Sequence, residues 1–147
     1  MRARHSGESL VRAHRLFGQS TVEFALIALP FVLLVFGIIE GGRLVFTYHE
    51  IQNAAREGSR YMVAHGAFAD DPLAPGDADE VEDYVLSKTA GLDPGALEIS
   101  ADWLDGSNEP GKRVEVTVQY KFEPIVGMVL GADPITLSAR SEMRIHY

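Results

Sequence analysis

The feature that most limits how this chain can fold is an apolar run at residues 24–39, which reads FALIALPFVLLVFGII. These sixteen residues carry no charged and no strongly polar side chain, and Glu23 and Glu40 stand at the two ends. As a helix the run would rise about 24 Å, slightly less than the hydrocarbon core of a bilayer, which is about 30 Å thick. Val22 on one side and the apolar residues 44–46 on the other lengthen it. With modest bilayer thinning, the run is therefore long enough to serve as a membrane span.

Three interpretations of this run are open. A core helix that is apolar on every side is unusual in an acidic protein of 147 residues. A cleaved secretory signal would explain the basic residues before the run, but residues 37–43 (GIIEGGR) lack the small-residue pattern of a signal peptidase site. A retained single membrane span agrees with both the length and the flanking charges, and it is the interpretation that the sequence favours.

Charge is distributed unevenly along the chain. Residues 1–18 contain four arginines and one acid, a net charge of +3, and the rest contains nine Lys or Arg and twenty acids, a net charge of −11, which together give −8. Because positive flanks stay in the cytoplasm, the sequence predicts a single pass through the inner, cytoplasmic membrane, with a cytoplasmic N-terminus and an extracytoplasmic C-terminal part. The acidic body argues against a nucleic-acid partner. The absence of cysteine excludes thiol catalysis and disulfides.

The apolar pattern continues past the run as a narrow stripe at helical spacing. Its members are Leu44, Tyr48, Ile51, Ala55, Gly58 and Met62. The first stop signal is Gly66, so we predict one helix from about residue 19 to about residue 65. The second half of this helix must pack against its own domain or against a neighbouring helix. The predicted domains are a basic cytoplasmic leader (1–18), a transmembrane helix (19–42), its amphipathic continuation (43–65) and an extracytoplasmic α+β head (66–147).

The head is predicted to contain an antiparallel sheet. Residues 97–103, 114–121 and 135–145 alternate between apolar and polar side chains, which is typical of strands with one buried face. Trp103 is expected on that face, as part of the core. Three short strands cannot form a core alone, so the stripe of the long helix is the expected second layer. The fold class is therefore α+β: a long N-terminal helix that serves as a stalk, and a small head.

One short helix is expected before the sheet and an apolar connector within it. Residues 78–90 show helical spacing, with Asp77 as the expected N-cap and Glu80 in the position of a capping box. Residues 122–131 (FEPIVGMVLG) join the last two strands and are unusually apolar for a connector. This connector is expected to pack on the long helix or to touch the membrane surface.

The most specific motif lies between the leader and the run. Gly18 is followed by four residues, then by Glu23 and Phe24, in the sequence GQSTVEF. This arrangement resembles the cleavage motif of type IV prepilins of the tight-adherence (Flp) class. The wider segments GQSTVEFALIALPFVLLVFGIIEGGRLVF and QNAAREGSRYMVA, together with residues 135–145 (ITLSARSEMRI), resemble the TadE-like family of pseudopilin or minor pilin proteins.

The resemblance implies a processed subunit of pilus assembly. It implies that a membrane prepilin peptidase cuts the bond between Gly18 and Gln19, which leaves Gln19 as the new N-terminus. It also implies that Glu23, beside Phe24, pairs with the free α-amine of a neighbouring subunit and so sets the register of assembly, since a lone carboxylate in lipid is costly and usually functional. The alternative is that Glu23 lies among the headgroups and is simply solvated. The implied partners are the membrane, the peptidase and other pilin or pseudopilin subunits.

Two pairs of small residues are candidates for close helix packing. Gly37 and Gly41 are four residues apart, as are Ala54 and Gly58, so each pair lies on one helix face. Pro30, inside the run, is compatible with a membrane helix.

No motif in the sequence predicts catalysis. His49 and Glu50 begin an H-E-x-x-H pattern, but Asn53 stands where the second histidine is needed. The acidic residues 70–83 resemble a calcium loop, but when the loop is read from Asp77, Glu82 stands where glycine is needed. We therefore predict a protein that is not an enzyme and has no metal, cofactor or small-molecule substrate. The alternative to a pilus component is a single-span membrane protein whose acidic extracytoplasmic head binds a ligand or a partner without pilin assembly.

Overall fold

The computed structural model describes residues 8–131 and 133–146. The chain divides into two compact units, Met1–Ile39 and Glu40–Tyr147, and the boundary falls inside the first helix. The elements are α1 (Glu8–Ala64), α2 (Ala78–Lys88), a 3-10 turn (Pro94–Ala96), β1 (Leu97–Trp103), β2 (Arg113–Phe122), α3 (Ile125–Leu130) and β3 (Ile135–Arg144).

In the first unit, α1 leaves its apolar side chains uncovered. Every large apolar side chain described between Val22 and Ile39 is at least 38 % exposed. Within the described residues, one helical segment, Gly18–Ala64, is long and apolar enough to cross a membrane, and none of its most apolar stretch is buried. A contiguous apolar surface of this kind is unfavourable in water and is satisfied by lipid.

The second unit contains the predicted antiparallel sheet, with strand order β1-β2-β3. Ala101 of β1 pairs with Val116 of β2, and Val118 of β2 pairs with Ala139 of β3. Each of these four side chains points to the buried face, as the period-two pattern requires. The α+β class is therefore confirmed.

The amphipathic half of α1 covers this face of the sheet, as the stripe predicts. Ile51, Ala55 and Met62 are almost fully buried in one cluster with the valines of β2. The predicted stripe is wrong at one position, because Tyr48 is 41 % exposed and Thr47, one residue earlier, is buried instead. The full buried cluster contains Ile51, Ala54, Ala55, Met62, Leu73, Val81, Val85, Ala101, Val114, Val116, Val118, Ala139 and Ile145.

Gly58 lies where α1, α2 and the sheet approach one another closely. A Cβ atom at Gly58 would lie 2.5 Å from Cγ2 of Val85 on α2 and 3.1 Å from Cγ1 of Val116 on β2. The glycine therefore lets α1, α2 and the sheet meet at one point. Beside it, the hydroxyl of Ser59 donates to the carbonyl of Ser141, 2.8 Å away on β3, which ties the helix to the edge strand.

The start of α2 differs from the prediction. The side chain of Asp77 makes no capping bond to the helix and instead accepts a hydrogen bond from the amide of Ala74 at 2.7 Å. Glu80 accepts a hydrogen bond from the hydroxyl of Tyr61 at 2.9 Å, so the expected capping box is wrong. The Tyr61 ring stacks on Tyr84 at 4.0 Å, and burial, aided by the Glu80 hydrogen bond, raises the pKa of Tyr61.

Two further expectations for the head are corrected. The connector between the last two strands contains a second short helix, α3, which follows Pro124 and ends at Gly131 in the left-handed conformation. Ile135, in the alternating pattern of β3, is 45 % exposed rather than buried. Trp103 is partly buried against the core, as expected.

The loop between β1 and β2 is closed by an ion pair. The guanidinium of Arg113 approaches the carboxylate of Asp105 at 3.0 Å, and the Arg113 backbone amide donates to the same carboxylate at 2.9 Å. These hydrogen bonds lower the pKa of Asp105 from 3.8 to about 2. The ionised carboxylate therefore favours the folded loop.

We predict that Gly58→Ala destabilises the head. In an exposed helix position, Gly→Ala usually stabilises by about 1 kcal/mol, but overpacking a core costs about 1–3 kcal/mol. At Gly58 the new methyl would overlap Val85, a stiff β-branched residue that is fully buried. We expect a net loss in the free energy of unfolding, measured as a lower Tm of the head by circular dichroism in detergent.

The matched control is Gly42→Ala in the same helix, where an added Cβ meets no atom within 4 Å. This variant should keep or raise the Tm. If the two substitutions raised the Tm equally, the prediction that a methyl group at position 58 overlaps Val85 would be wrong.

We predict that the contribution of Asp105 to stability disappears in acid. Because the folded-state pKa lies below the ordinary value, the contribution is fully present above about pH 4 and is lost as the pH falls through about 2. Asp105→Asn should therefore lower the Tm near neutral pH, and the difference from the unsubstituted protein should narrow toward pH 2. A Tm difference that stayed constant across this range would show that the ion pair does not stabilise the fold.

Candidate membrane and assembly site

The predicted cleavage bond lies inside helical backbone. The sequence predicts a helix that begins near Gln19, whereas α1 already includes Glu8. Gly18 and Gln19 are both exposed, and a Cβ at Gly18 would meet no atom within 4 Å. No contact outside the helix therefore covers Gly18, but a protease that binds extended substrate would have to unwind this turn. The rest of the predicted leader, residues 1–7, lies outside the described residues.

Glu23 is exposed and engaged with its own helix. Its Oε1 accepts a hydrogen bond from the Nε2 of Gln19 at 3.0 Å, across one helical turn. The next residue, Phe24, is 72 % exposed. Gln19, Glu23 and Phe24 thus lie within little more than one turn of α1, with the carboxylate accessible from outside the chain.

The two small-residue pairs have different environments. Gly37 and Gly41 are exposed, and an added Cβ at either would meet no atom within 4 Å. Ala54 and Gly58, by contrast, are buried in the core of the head. The second pair therefore provides close packing within the chain, whereas the first leaves a strip of open backbone on the apolar part of α1.

Glu40, the first residue after the apolar run, joins α1 to the end of the sheet. Its Oε1 accepts from the guanidinium of Arg43 at 2.8 Å, and its Oε2 accepts from the backbone amide of Ile125 at 2.8 Å. The Arg43 guanidinium also lies 5.2 Å from the centre of the buried Phe122 ring. Neither Glu40 nor Arg43 was predicted as a functional residue, although their spacing of three residues is typical of an ion pair on a helix.

The described residues contain no cluster of three or more His, Asp or Glu side chains with the geometry to hold a metal ion. His49 is exposed on α1, and the acids among residues 70–83 are divided between the loop before α2 and the first two turns of α2. The residues that the sequence singles out for assembly instead all lie on α1.

These features of α1 coincide with the part of the chain that is similar to known proteins. Residues 18–60 match the model of the TadE-like protein family. The resemblance seen in the sequence is confirmed over this segment, which begins at Gly18 and includes Glu23, the apolar run and the buried part of α1. No curated protein and no solved structure matches the chain.

The TadE-like match indicates a component related to the tight-adherence (Tad) pilus, with an N-terminal helix of membrane type. One apolar helix of this kind indicates single-pass membrane anchoring. The TadE-like family is associated with pili and is not known to be enzymatic. The strands of the head lie outside the matched residues.

Proposed function

We propose that this protein is a membrane-anchored, pseudopilin-like component of tight-adherence pilus assembly or of related secretion machinery. It is processed after Gly18 and assembles through its N-terminal helix. The observation that supports this proposal is the position of the TadE-like match, which starts at Gly18 and includes the apolar run, whose large side chains are all uncovered. A helix that only anchored a binding head would need no cleavage motif at its start.

The orientation follows from charge. The four arginines among residues 1–18 hold this end of the chain in the cytoplasm, and the acidic head lies on the opposite side of the inner membrane. The prepilin peptidase therefore meets the Gly18–Gln19 bond at the cytoplasmic face. Cleavage removes a net charge of +3 and frees the helix from its cytoplasmic tether.

A glycine at position 18 favours cleavage for two reasons. A glycine in a helix is about 1 kcal/mol less stable than alanine, so α1 unwinds more readily at this point than at its neighbours. A residue without a side chain also lets the peptidase approach the backbone closely. The open surroundings of Gly18 show that no fold contact of its own requires a glycine there.

Glu23 sets the register between subunits. In the chain that retains residues 1–18, Gln19 supplies the carboxylate with one neutral hydrogen bond. After cleavage, Gln19 carries a free α-ammonium group, and a neighbouring subunit can present this cation to Glu23. A pair of opposite charges in lipid is strongly preferred to a lone carboxylate, so only the matching register satisfies it.

Gly37 and Gly41 allow the helices to come close. Their exposed backbone lies on the apolar part of α1, four residues apart and on one face. In lipid, association depends on van der Waals packing, which small residues improve because the backbones approach more closely. The other pilin or pseudopilin subunits are therefore the partners of this strip.

Gly18→Leu is expected to leave the leader attached. The bulky side chain blocks close approach of the peptidase, while the open space around Gly18 leaves the fold unchanged. Intact-mass analysis of the membrane-extracted protein should give the full 147-residue chain for this variant and the chain from Gln19 for the unsubstituted protein.

Gly42→Leu is the matched control, because its surroundings are equally open and it lies outside the motif. This control should be cleaved normally. If Gly18→Leu were also cleaved before Gln19, or if the unsubstituted protein remained uncleaved beside an active peptidase, the processing proposal would be wrong.

Glu23→Gln is expected to be cleaved but to assemble poorly. The amide keeps the size of the side chain and its capacity to bond Gln19, but it removes the charge that pairs with a neighbouring α-ammonium group. Pilus yield from cells should fall by at least several-fold, with the mature protein still present in the membrane. Glu57→Gln, an exposed acid paired with Arg60 in the amphipathic half of α1, is the control and should assemble normally. Normal pilus yield from Glu23→Gln would mean that Glu23 is merely solvated.

A further inference from the structure

The short helix α3 presents apolar side chains that nothing in the described chain covers. Met128 is 71 % exposed and Ile125 is 45 % exposed, and Ile135, just beyond the helix, is also uncovered. Residues 124–132 carry no charge. Ile125 and Met128, one helical turn apart in α3, form an apolar patch on a head that is otherwise strongly acidic.

The first residue of α3 is hydrogen-bonded to Glu40. The amide of Ile125, the first residue of α3, donates to the Glu40 carboxylate at 2.8 Å. Glu40 directly follows the apolar run, and Val45 and Phe46, within two turns of it on α1, are also more than half exposed. Within the second unit, the first residue of α3 therefore lies beside the residue that directly follows the apolar run in sequence.

We propose that α3 lies in the lipid–water interface of the bilayer that α1 crosses, as a second contact between head and membrane. This inference rests on the membrane anchoring described above. It adds that the membrane surface is a binding partner of the head itself. The side chains of Ile125 and Met128 enter the boundary between headgroups and acyl chains, where burial of apolar area stabilises the contact.

The backbone of α3 is suited to a medium with little water. Its first amide bonds to Glu40, the amide of Met128 donates to the carbonyl of Pro124 at 2.8 Å, and the amide of Gly131 donates to Gly127. An unsatisfied amide in lipid costs several kcal/mol, so these bonds reduce the cost of immersion. Arg43, which pairs with Glu40, supplies a cation that can bind lipid phosphates in this interface.

Lipid fits this patch better than a protein partner does. A helix of six residues offers far less than the roughly 800 Å² per partner of a stable protein interface. A lipid surface needs no matching shape. Insertion of the adjacent span already holds the head near the bilayer, so no separate binding step is needed.

The test uses the full chain in lipid nanodiscs. Because the protein has no cysteine, single cysteines can be introduced without altering a native thiol. An environment-sensitive fluorophore is attached to Met128→Cys, to Phe68→Cys and to Phe31→Cys. Phe68 is the matched control because it is a large apolar residue that is 79 % exposed in the loop after α1, remote from Glu40 in sequence. Phe31 lies within the apolar run and reports the span.

We expect lipids that carry a nitroxide near the headgroup to quench the label at Met128 several-fold more strongly than the label at Phe68. Aqueous iodide should show the reverse order. Equal iodide quenching at Met128 and Phe68 would overturn the interfacial position. Protection of Met128 from both quenchers would mean that protein covers α3, and it would overturn the proposal as well.

The label at Phe31 separates this inference from the anchoring on which it depends. Quenching at Phe31 by lipids with a deep nitroxide, together with a water-exposed Met128, would refute the α3 contact alone. Loss of deep quenching at Phe31 would refute the span and the α3 contact together. As a second variant, Ile125→Ser should increase iodide quenching of the label at position 128. Its control is Leu104→Ser, because Leu104 is similarly exposed in the loop after β1, and this substitution should leave the quenching unchanged.

Discussion

A three-stranded antiparallel sheet has one apolar face that must be covered, and in this chain the cover is the second half of α1. Ile51, Ala55 and Met62 fill the space over the valines of β2, and Gly58 allows α2 to close the same core. The sheet depends on this helix because α2 alone contributes only Val81 and Val85 to the fully buried set. The same helix carries, earlier in sequence, a surface that only lipid satisfies. One helical segment therefore contains both the core of the head and the membrane anchor.

Glu40 marks the change between these two environments. It is the first charge after the apolar run, and it is bound by Arg43 and by the first amide of α3. A carboxylate with two donors is less costly near lipid than a solitary one, and its bonds hold the end of β2 and the start of α3 against the helix. The opposite end of the run has Glu23, whose hydrogen bond from a glutamine side chain leaves it available for a charged partner. The two acids that bracket the run thus differ in function: one organises its own head, and the other is proposed to organise the assembly.

The sequence predicted those parts of the fold in which local pattern and tertiary packing agree. The three strands followed from strict alternation, and the amphipathic helix followed from spacings of three and four. Tyr48 was misplaced because the spacing alone did not show that the neighbouring Thr47 takes the buried position, which leaves Tyr48 41 % exposed. Asp77 and Glu80 fit a capping box locally. In the structure, Glu80 instead accepts a hydrogen bond from the hydroxyl of Tyr61, which lies nineteen residues earlier in the chain. The contact between Glu40 and Ile125 spans 85 residues, and no local pattern carries that information.

Among the candidate site residues, the motif around Gly18 and Glu23 could be identified from the sequence. The sequence could not distinguish the buried pair of Ala54 and Gly58 from the open pair of Gly37 and Gly41. That distinction depends on which part of α1 the sheet covers.

The most direct test of this account compares two soluble fragments of the chain by thermal unfolding. One comprises residues 40–147 and retains the amphipathic half of α1, and the other comprises residues 67–147 and lacks it. We expect the longer fragment to unfold in one cooperative transition. The shorter fragment, with the apolar face of its sheet uncovered, should show no sharp transition and should aggregate. A sharp transition at the same temperature in both fragments would contradict the account, since the sheet would then have a core that does not need α1.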